Sequence, residues 1–388
     1  MKLKTKIGVI GTGFIATGLV KALEKQEDMV VSKVLTRRKI EDIASFPNKE
    51  LLTNSVWEVI ENSEVIVECS GDTIYGTEVI DKAFSASLPV ITMNSELQVT
   101  TGSYFAERGF ITEAEGDQPG CIAALKENVV QMGFKPLVYG NIKGFLNLNP
   151  VKEEMEYWGK RSNLSLQMVT SFTDGTKVQF EQALVANGLG GDIVQTGLLG
   201  FEAEDVESGG FRLAEEAKKH GSAISDYLLC AKGPAGVFIT AEHDEDQRAA
   251  LNYFKVGEGP YYTLVQNFHL CHLEIMKTIR RVIGGGGVLL NNTSTPSISV
   301  GAIAKRGIAS GEKIPHGIGS FSVRGEALKI KEHVGHLPIG LLANAVITRP
   351  IEEGQIITMD DVEIPESLAL KAWREVEAKA LNRYKVIK

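Results

Sequence analysis

Lys6-Ile7-Gly8-Val9-Ile10-Gly11-Thr12-Gly13-Phe14-Ile15-Ala16, followed by Gly18-Leu19-Val20-Lys21-Ala22-Leu23, decides the fold class of this chain. A short apolar strand pattern opens into Gly-x-Gly-x-x-Ala, and a helix pattern follows at once. That is the dinucleotide-binding fingerprint in the context it requires. Gly11 permits the tight turn, Gly13 lets the backbone approach a pyrophosphate, and Ala16 is small enough for the helix to pack on the strand. Phe14 and Ile15 fill the variable positions, where free N–H groups at the helix start favour phosphates.

The next strand, Met29–Leu35, should end on the residue that reads the adenosine ribose. It ends in Thr36-Arg37-Arg38, without the acidic residue that holds a ribose 2′-hydroxyl. Two guanidinium groups and a hydroxyl suit a 2′-phosphate, so NADP is expected over NAD. A solvated turn is the plain alternative.

Further strand and helix patterns alternate after this point: Glu64–Gly71, a helix near Gly76–Ala86, Pro89–Asn94 and Phe110–Ala114. Such alternation implies a parallel, doubly wound α/β sheet whose ligands bind at the carboxyl ends of its strands. Ser70 and Gly71, and Asn94 and Glu96, stand at such ends and are expected beside the cofactor. Gly116-Asp117-Gln118-Pro119-Gly120 ends a strand and opens a helix that should stop at Gly133. Asp117 reads equally as a helix cap and as a carboxylate aimed into the site as base, metal ligand or hydroxyl acceptor.

The pattern changes in the middle of the chain. Asn141-Ile142-Lys143-Gly144 ends a strand with a lysine beside a glycine. Ser171-Phe172-Thr173-Asp174-Gly175-Thr176-Lys177 leads into a helix through Asn187, with Thr173 or Asp174 as its cap and Asp174, Lys177 and Glu181 on one face. Asp117, Lys143, Asp174 and Lys177 are the candidate catalytic residues: lysines to polarise a carbonyl or hold a phosphate, carboxylates to hold a hydroxyl, a proton or a metal. His269-Leu270-Cys271-His272 has no zinc-site spacing, and Gly284–Gly287 is a loop without P-loop order.

A chain of 388 residues is long enough for two or three domains. Its net charge of −8 and lack of a basic block argue against nucleic acid as a partner. It has no apolar stretch of membrane-span length and no signal-peptide pattern, and its four scattered cysteines read as reduced. These features suit a cytoplasmic enzyme. The expected division is a nucleotide domain over 1–135, a substrate and dimerisation domain over 136–300 and a C-terminal module over 301–388, in a homodimer.

The fingerprint, the Asn94-x-Glu96 strand end, Gly116-Asp117-Gln118-Pro119, Asn141-Ile142-Lys143-Gly144 and Asp174-Gly175-Thr176-Lys177 together resemble the homoserine-dehydrogenase-like oxidoreductases. The closest branch contains the reductoisomerase-like protein acting on 1-deoxy-D-xylulose 5-phosphate. The segment from Leu337 to Ala369 resembles a SAF module, a small β-rich fold expected to be structural or interfacial and not catalytic, beside an α+β middle domain. The resemblance implies NADP-linked reduction of a phosphorylated sugar or polyol, a site between the first two domains and, in the reductoisomerase branch, a divalent metal such as Mg or Mn. Homoserine dehydrogenases carry Thr-Ala-Asn-Lys at one strand end; this chain has Thr92-Met93-Asn94-Ser95-Glu96 and lacks that lysine. A plain alcohol or semialdehyde dehydrogenase and a non-catalytic nucleotide sensor are the competing readings.

Overall fold

A computed structural model describes residues 4–386. Six strands, β1 (Thr5–Ile10), β2 (Met29–Leu35), β3 (Leu52–Thr53), β4 (Val65–Glu68), β5 (Val90–Thr92) and β6 (Ile111–Glu113), form a parallel sheet in the order β3-β2-β1-β4-β5-β6. The order reverses beside β1, which creates the crevice where a dinucleotide lies in this fold. Gly11 takes φ +110° there, and a Cβ on it would stand 2.8 Å from the Cys69 carbonyl oxygen, so the turn demands glycine. Ala16, on the first helix, Phe14–Leu23, is fully buried. The space beside Gly13 and Gly71 is open, as a bound backbone-hugging ligand requires.

The helix Gln118–Gln131 has Pro119 in its first turn and ends just before Gly133, whose φ is +91°. It leads into a mixed sheet of β7 (Lys135–Lys143), β8 (Phe201–Glu202), β9 (Ile224–Leu229), β10 (Val237–Glu242) and β11 (Tyr261–Gln266), ordered β11-β10-β7-β9-β8. Helices Gln118–Gln131, Thr176–Leu189 and Val206–His220 all pack on this sheet.

The chain then builds two small antiparallel sheets. One pairs β12 (Ile298–Ala304) with β14 (Val323–Lys329); the other is β13 (Lys313–His316), β15 (Ala343–Ile347) and β16 (Val362–Glu363). A nineteen-residue helix, Leu368–Val386, follows and packs against the helix Thr73–Ser85 of the nucleotide domain. Its Trp373 lies in one apolar cluster with Val178 and Phe180 of the middle helix and Val99 of the first domain. The C-terminal segment thus shares its core with the elements that carry the site, which a freestanding β-rich module would not do.

Candidate active site

The site is built where the carboxyl ends of β5 and β6 meet the start of the helix Thr176–Leu189. That helix begins later than its sequence suggests. Gly175 is the N-cap, at φ +83°, and Asp174 closes the preceding helix Leu166–Thr173. Asp174 therefore does not share a face with Lys177 and Glu181. Its carboxylate accepts a bond from the Thr176 backbone N–H (2.9 Å) and meets Lys305 Nζ at 2.6 Å, with both side chains buried. The structure uses Asp174 to tie the middle helix to β12's end, and does not bring it to the other candidates.

Lys177 and Asp117 do come together. Lys177 Nζ lies 3.1 Å from Glu96 Oε2, 2.9 Å from Ser95 Oγ and 3.6 Å from Asp117 Oδ2. Burial works against the lysine's charge, but the carboxylates of Asp117, Glu96 and Glu181 outweigh it and hold its pKa above the ordinary lysine value. Lys177 is consequently an ammonium donor and not a neutral base. Asp117 occupies the N-cap position of its helix without making the side-chain cap bond. Its carboxylate is committed to the site.

Lys143 forms a second arm. Its Nζ lies 2.9 Å from Glu181 Oε2, which also accepts from Asn141 Nδ2 at 2.7 Å. Glu181 is one helical turn beyond Lys177, so a single helix face serves both lysines. Gln118 links the arms. With its amide turned so that the oxygen meets donors, it donates to Asp117 Oδ1 (2.9 Å) and accepts from Lys143 Nζ and His269 Nε2 (both 3.3 Å). Gly116, at φ +116°, lets the Cys271 carbonyl approach to 2.3 Å from where a Cβ would stand, which brings the His269 segment against the Asp117 turn.

Glu181, Gln118 and His269 are site residues that sequence reasoning did not select. Glu181 was on the correct helix face, and Gln118 stood beside Asp117. His269 reads in the sequence as a metal partner of His272 or as a second choice for the site, but His272 packs edge-on against Phe14 and against Gly18. The two imidazoles serve different neighbours.

At the other end of the crevice Arg38 donates to the Thr12 carbonyl (3.0 Å) and hydroxyl (2.8 Å), and Thr36 and Thr12 hydroxyls are 3.2 Å apart. Arg37 pairs with Asp72 at 2.7 Å and stacks over Tyr75. Thr36, Arg37 and Arg38 thus stand around the glycine turn. Ser70 donates its backbone N–H to Glu68 and caps the turn to Asp72, while Asn94 caps the short helix after β5. Glu96 faces Lys177. Phe14 is exposed and Ile15 packs into the core under β1.

The open cradle at Gly13 and Gly71 and the donors of Thr12 and Arg38 fit a dinucleotide. A divalent metal fits less well. Among the described residues no group of three or more His, Cys, Asp and Glu side chains is placed to hold one. Glu96, Asp117 and Glu181 already face the ammonium groups of Lys177 and Lys143. Among the described residues no helix is long and apolar enough to cross a membrane.

Residues 11–106 match the family described as homoserine dehydrogenase, NAD binding domain, and residues 116–275 match that described as oxidoreductase DRL, catalytic domain. No curated protein matches the chain. Similar solved structures include a probable dehydrogenase from Thermotoga maritima, 14% identical, with TM-score 0.41 over 74% of this chain and 91% of that one. UDP-N-acetylglucosamine 3-dehydrogenase from Acidithiobacillus ferrooxidans is 12% identical, with TM-score 0.43 over 75% and 92%. Homoserine dehydrogenase from S. aureus is 18% identical, with TM-score 0.26 over 33% and 40%. The two family matches make the chain an oxidoreductase with a nicotinamide-nucleotide-binding domain.

Proposed function

We propose that this oxidoreductase uses NADPH to reduce a carbonyl of a small phosphorylated sugar or polyol. The observation that carries the reading is the position of Lys177. Its Nζ sits 2.9 Å from Ser95 Oγ. Ser95 stands where the strand end of homoserine dehydrogenases, which this chain resembles, carries a lysine. A lysine from another domain brings its ammonium to the same strand end.

Reduction adds a hydride to the carbonyl carbon and a proton to its oxygen. Bound NADPH supplies the hydride. Lys177 donates a hydrogen bond to the oxygen as negative charge develops on it, where a positioned donor is worth about 10²–10³ in rate. Asp117 and Glu96 keep that group an ammonium before turnover and favour its reprotonation afterwards. Asp117, aligned by Gln118, is also placed to accept a substrate hydroxyl. Lys143 is the more open of the two lysines, with 19% of its side chain exposed, and is placed for a second substrate oxygen or a phosphate. Arg37 and Arg38 beside Thr12 support NADPH over NADH, because a guanidinium pair at the ribose end meets a 2′-phosphate well.

The match to the DRL catalytic domain, with the likeness to a reductoisomerase-like protein, supports a second reading in which a skeletal rearrangement precedes reduction. Both readings share the hydride step. Phosphorylated ketoses and aldehydes should be screened by NADPH oxidation, with magnesium and with a chelator. Turnover of a phosphorylated carbonyl compound is expected, and a carbon label in the product separates direct reduction from rearrangement. Oxidation of NADPH by no phosphorylated carbonyl, alongside turnover of an unphosphorylated semialdehyde, would favour a plain dehydrogenase.

A further inference from the structure

Glu68, Thr92 and Glu113 end three adjacent strands and are paired in register, so their side chains stand in one row on one face of the sheet's carboxyl edge. All three are fully buried. Glu68 is well supported: it accepts from the Ser70 N–H at 2.7 Å and from Thr92 Oγ1 at 3.0 Å. Glu113 is not. Neither of its carboxyl oxygens has a hydrogen-bond partner. A buried, unsupported carboxylate is costly, whereas the same group carrying its proton costs far less. Burial does push its pKa well above the usual carboxylate range. The charges of Asp117, Glu96 and Glu68 add to that effect, with Lys177 opposing. Cys69, at the end of β4, also feels the Glu113 charge.

The row lies at the working end of the crevice. The adenosine end is marked by Thr36–Arg38 beyond β2, so a dinucleotide that crosses the glycine turn extends its nicotinamide half over the ends of β4, β5 and β6. The ring there is neutral in NADPH and positively charged in NADP⁺. We propose that Glu113 is a charge-compensating residue for the nicotinamide ring: it keeps its proton when the ring is neutral and releases it when the ring is cationic. The carboxyl O–H bond breaks, the proton leaves to bulk water, and the carboxylate stays in the row at the strand ends. No electrons move in this step. The proposal rests on the nicotinamide-binding reading and on no particular substrate. It gives the oxidised and reduced cofactors different proton stoichiometries on binding.

The test needs only the full chain and its two cofactors. Protons released to a weakly buffered solution are measured on adding NADP⁺ or NADPH, and the dissociation constant of each is followed with pH. NADP⁺ is expected to release up to about one proton more than NADPH, and its affinity to rise by up to about tenfold per pH unit relative to that of NADPH. Glu113→Gln, which keeps the shape but holds no acidic proton, should erase the difference. The shorter Glu113→Asp should move the pH at which the difference appears, and serves if the glutamine variant does not fold. Equal proton counts in the unaltered protein, or a difference that survives Glu113→Gln or keeps its pH in Glu113→Asp, overturns the proposal. Binding of neither cofactor overturns the nucleotide reading itself, and the proposal with it.

Discussion

Lys177 and Glu96 form an ion pair of 3.1 Å between a helix of the middle domain and the end of β5. The contact joins the two domains and makes the site depend on both being held in register. Each partner alone is ill-suited to its place. Glu96 without Lys177 is a carboxylate beside Asp117, and Lys177 without the two carboxylates is a mostly buried cation.

The first prediction follows from that relationship. Lys177→Ala should lower turnover by about 10²-fold or more, because it removes the donor aimed at the developing oxyanion. It should also lower stability by about 3–5 kcal/mol, since Glu96 and Asp117 are left facing each other without a cation. Asp117→Asn should likewise reduce turnover by about 10²-fold, while leaving Lys177 paired with Glu96 and costing less stability. Steady-state kinetics beside thermal melts would separate the two effects. Near-normal turnover in either variant would move the search to Lys143 and His269.

Cofactor choice is tested at the ribose end. Replacing Arg37 and Arg38 together by alanine removes charge-assisted contacts to a 2′-phosphate worth about 1.5–3 kcal/mol each. NADPH affinity should fall by about 10²-fold or more and NADH affinity much less. Fluorescence titration with the two cofactors reads this directly. Equal losses would mean that the arginines only brace the glycine turn, as the Arg38 bonds to Thr12 already do.

Much of the nucleotide domain was legible because its signals are local. The glycine turn, the strand Met29–Leu35 and the Asp117–Gly133 helix are each specified by neighbouring residues, and they form where expected. The site was legible only in part. Lys177 and Asp117 stood out as charges at element ends, where a side chain can enter a cleft. Asp174 looked the same, but its partner is Lys305, 131 residues away, and no local pattern announces a bond of that range. Glu113 was hidden for the opposite reason: it sits inside an apolar strand, and its meaning comes from Thr92 and Glu68 on the neighbouring strands. The helix Leu368–Val386 has a weakly sided pattern that does not set it apart from the β-rich segment before it.

Acid stability should depend on His336. Its Nδ1 donates to the His333 carbonyl (2.7 Å), and its Nε2 accepts from Ser299 Oγ (2.8 Å), so the folded protein holds the neutral ring. Burial lowers its pKa to about 4, from an unfolded value of about 6.5. The unfolded chain therefore binds more protons between these values, and stability falls as pH drops through that window. The full contribution, about 3 kcal/mol, is present above pH ~6.5 and is lost by pH ~4. Melting temperatures taken at intervals over this range should show the slope, and His336→Gln should flatten it. A variant with the same slope as the unaltered protein would place the acid sensitivity elsewhere.

The last prediction concerns Trp373 in the closing helix. Its side chain is fully buried, stacks edge-on against His336 and shares a cluster with Val178 and Phe180, which follow Lys177 on the middle helix. Its indole Nε1 has no hydrogen-bond partner, so the residue is held by packing alone. Trp373→Ala should cost about 3–5 kcal/mol through the cavity it leaves, whereas Trp373→Phe should cost much less, since it removes an unsatisfied donor along with the volume. The closing helix packs on the helix Thr73–Ser85 and on the segment Gln98–Phe105 that follows Glu96, so turnover at low temperature should fall in the alanine variant, through the Lys177–Glu96 contact, even where the protein is still folded. NADPH binding, which relies on the glycine turn and its arginines, should be little changed. Denaturant melts, cofactor titration and turnover on the same preparation give three independent readings. Loss of cofactor affinity in step with stability would show that the closing helix supports the glycine turn as well as the Lys177–Glu96 contact.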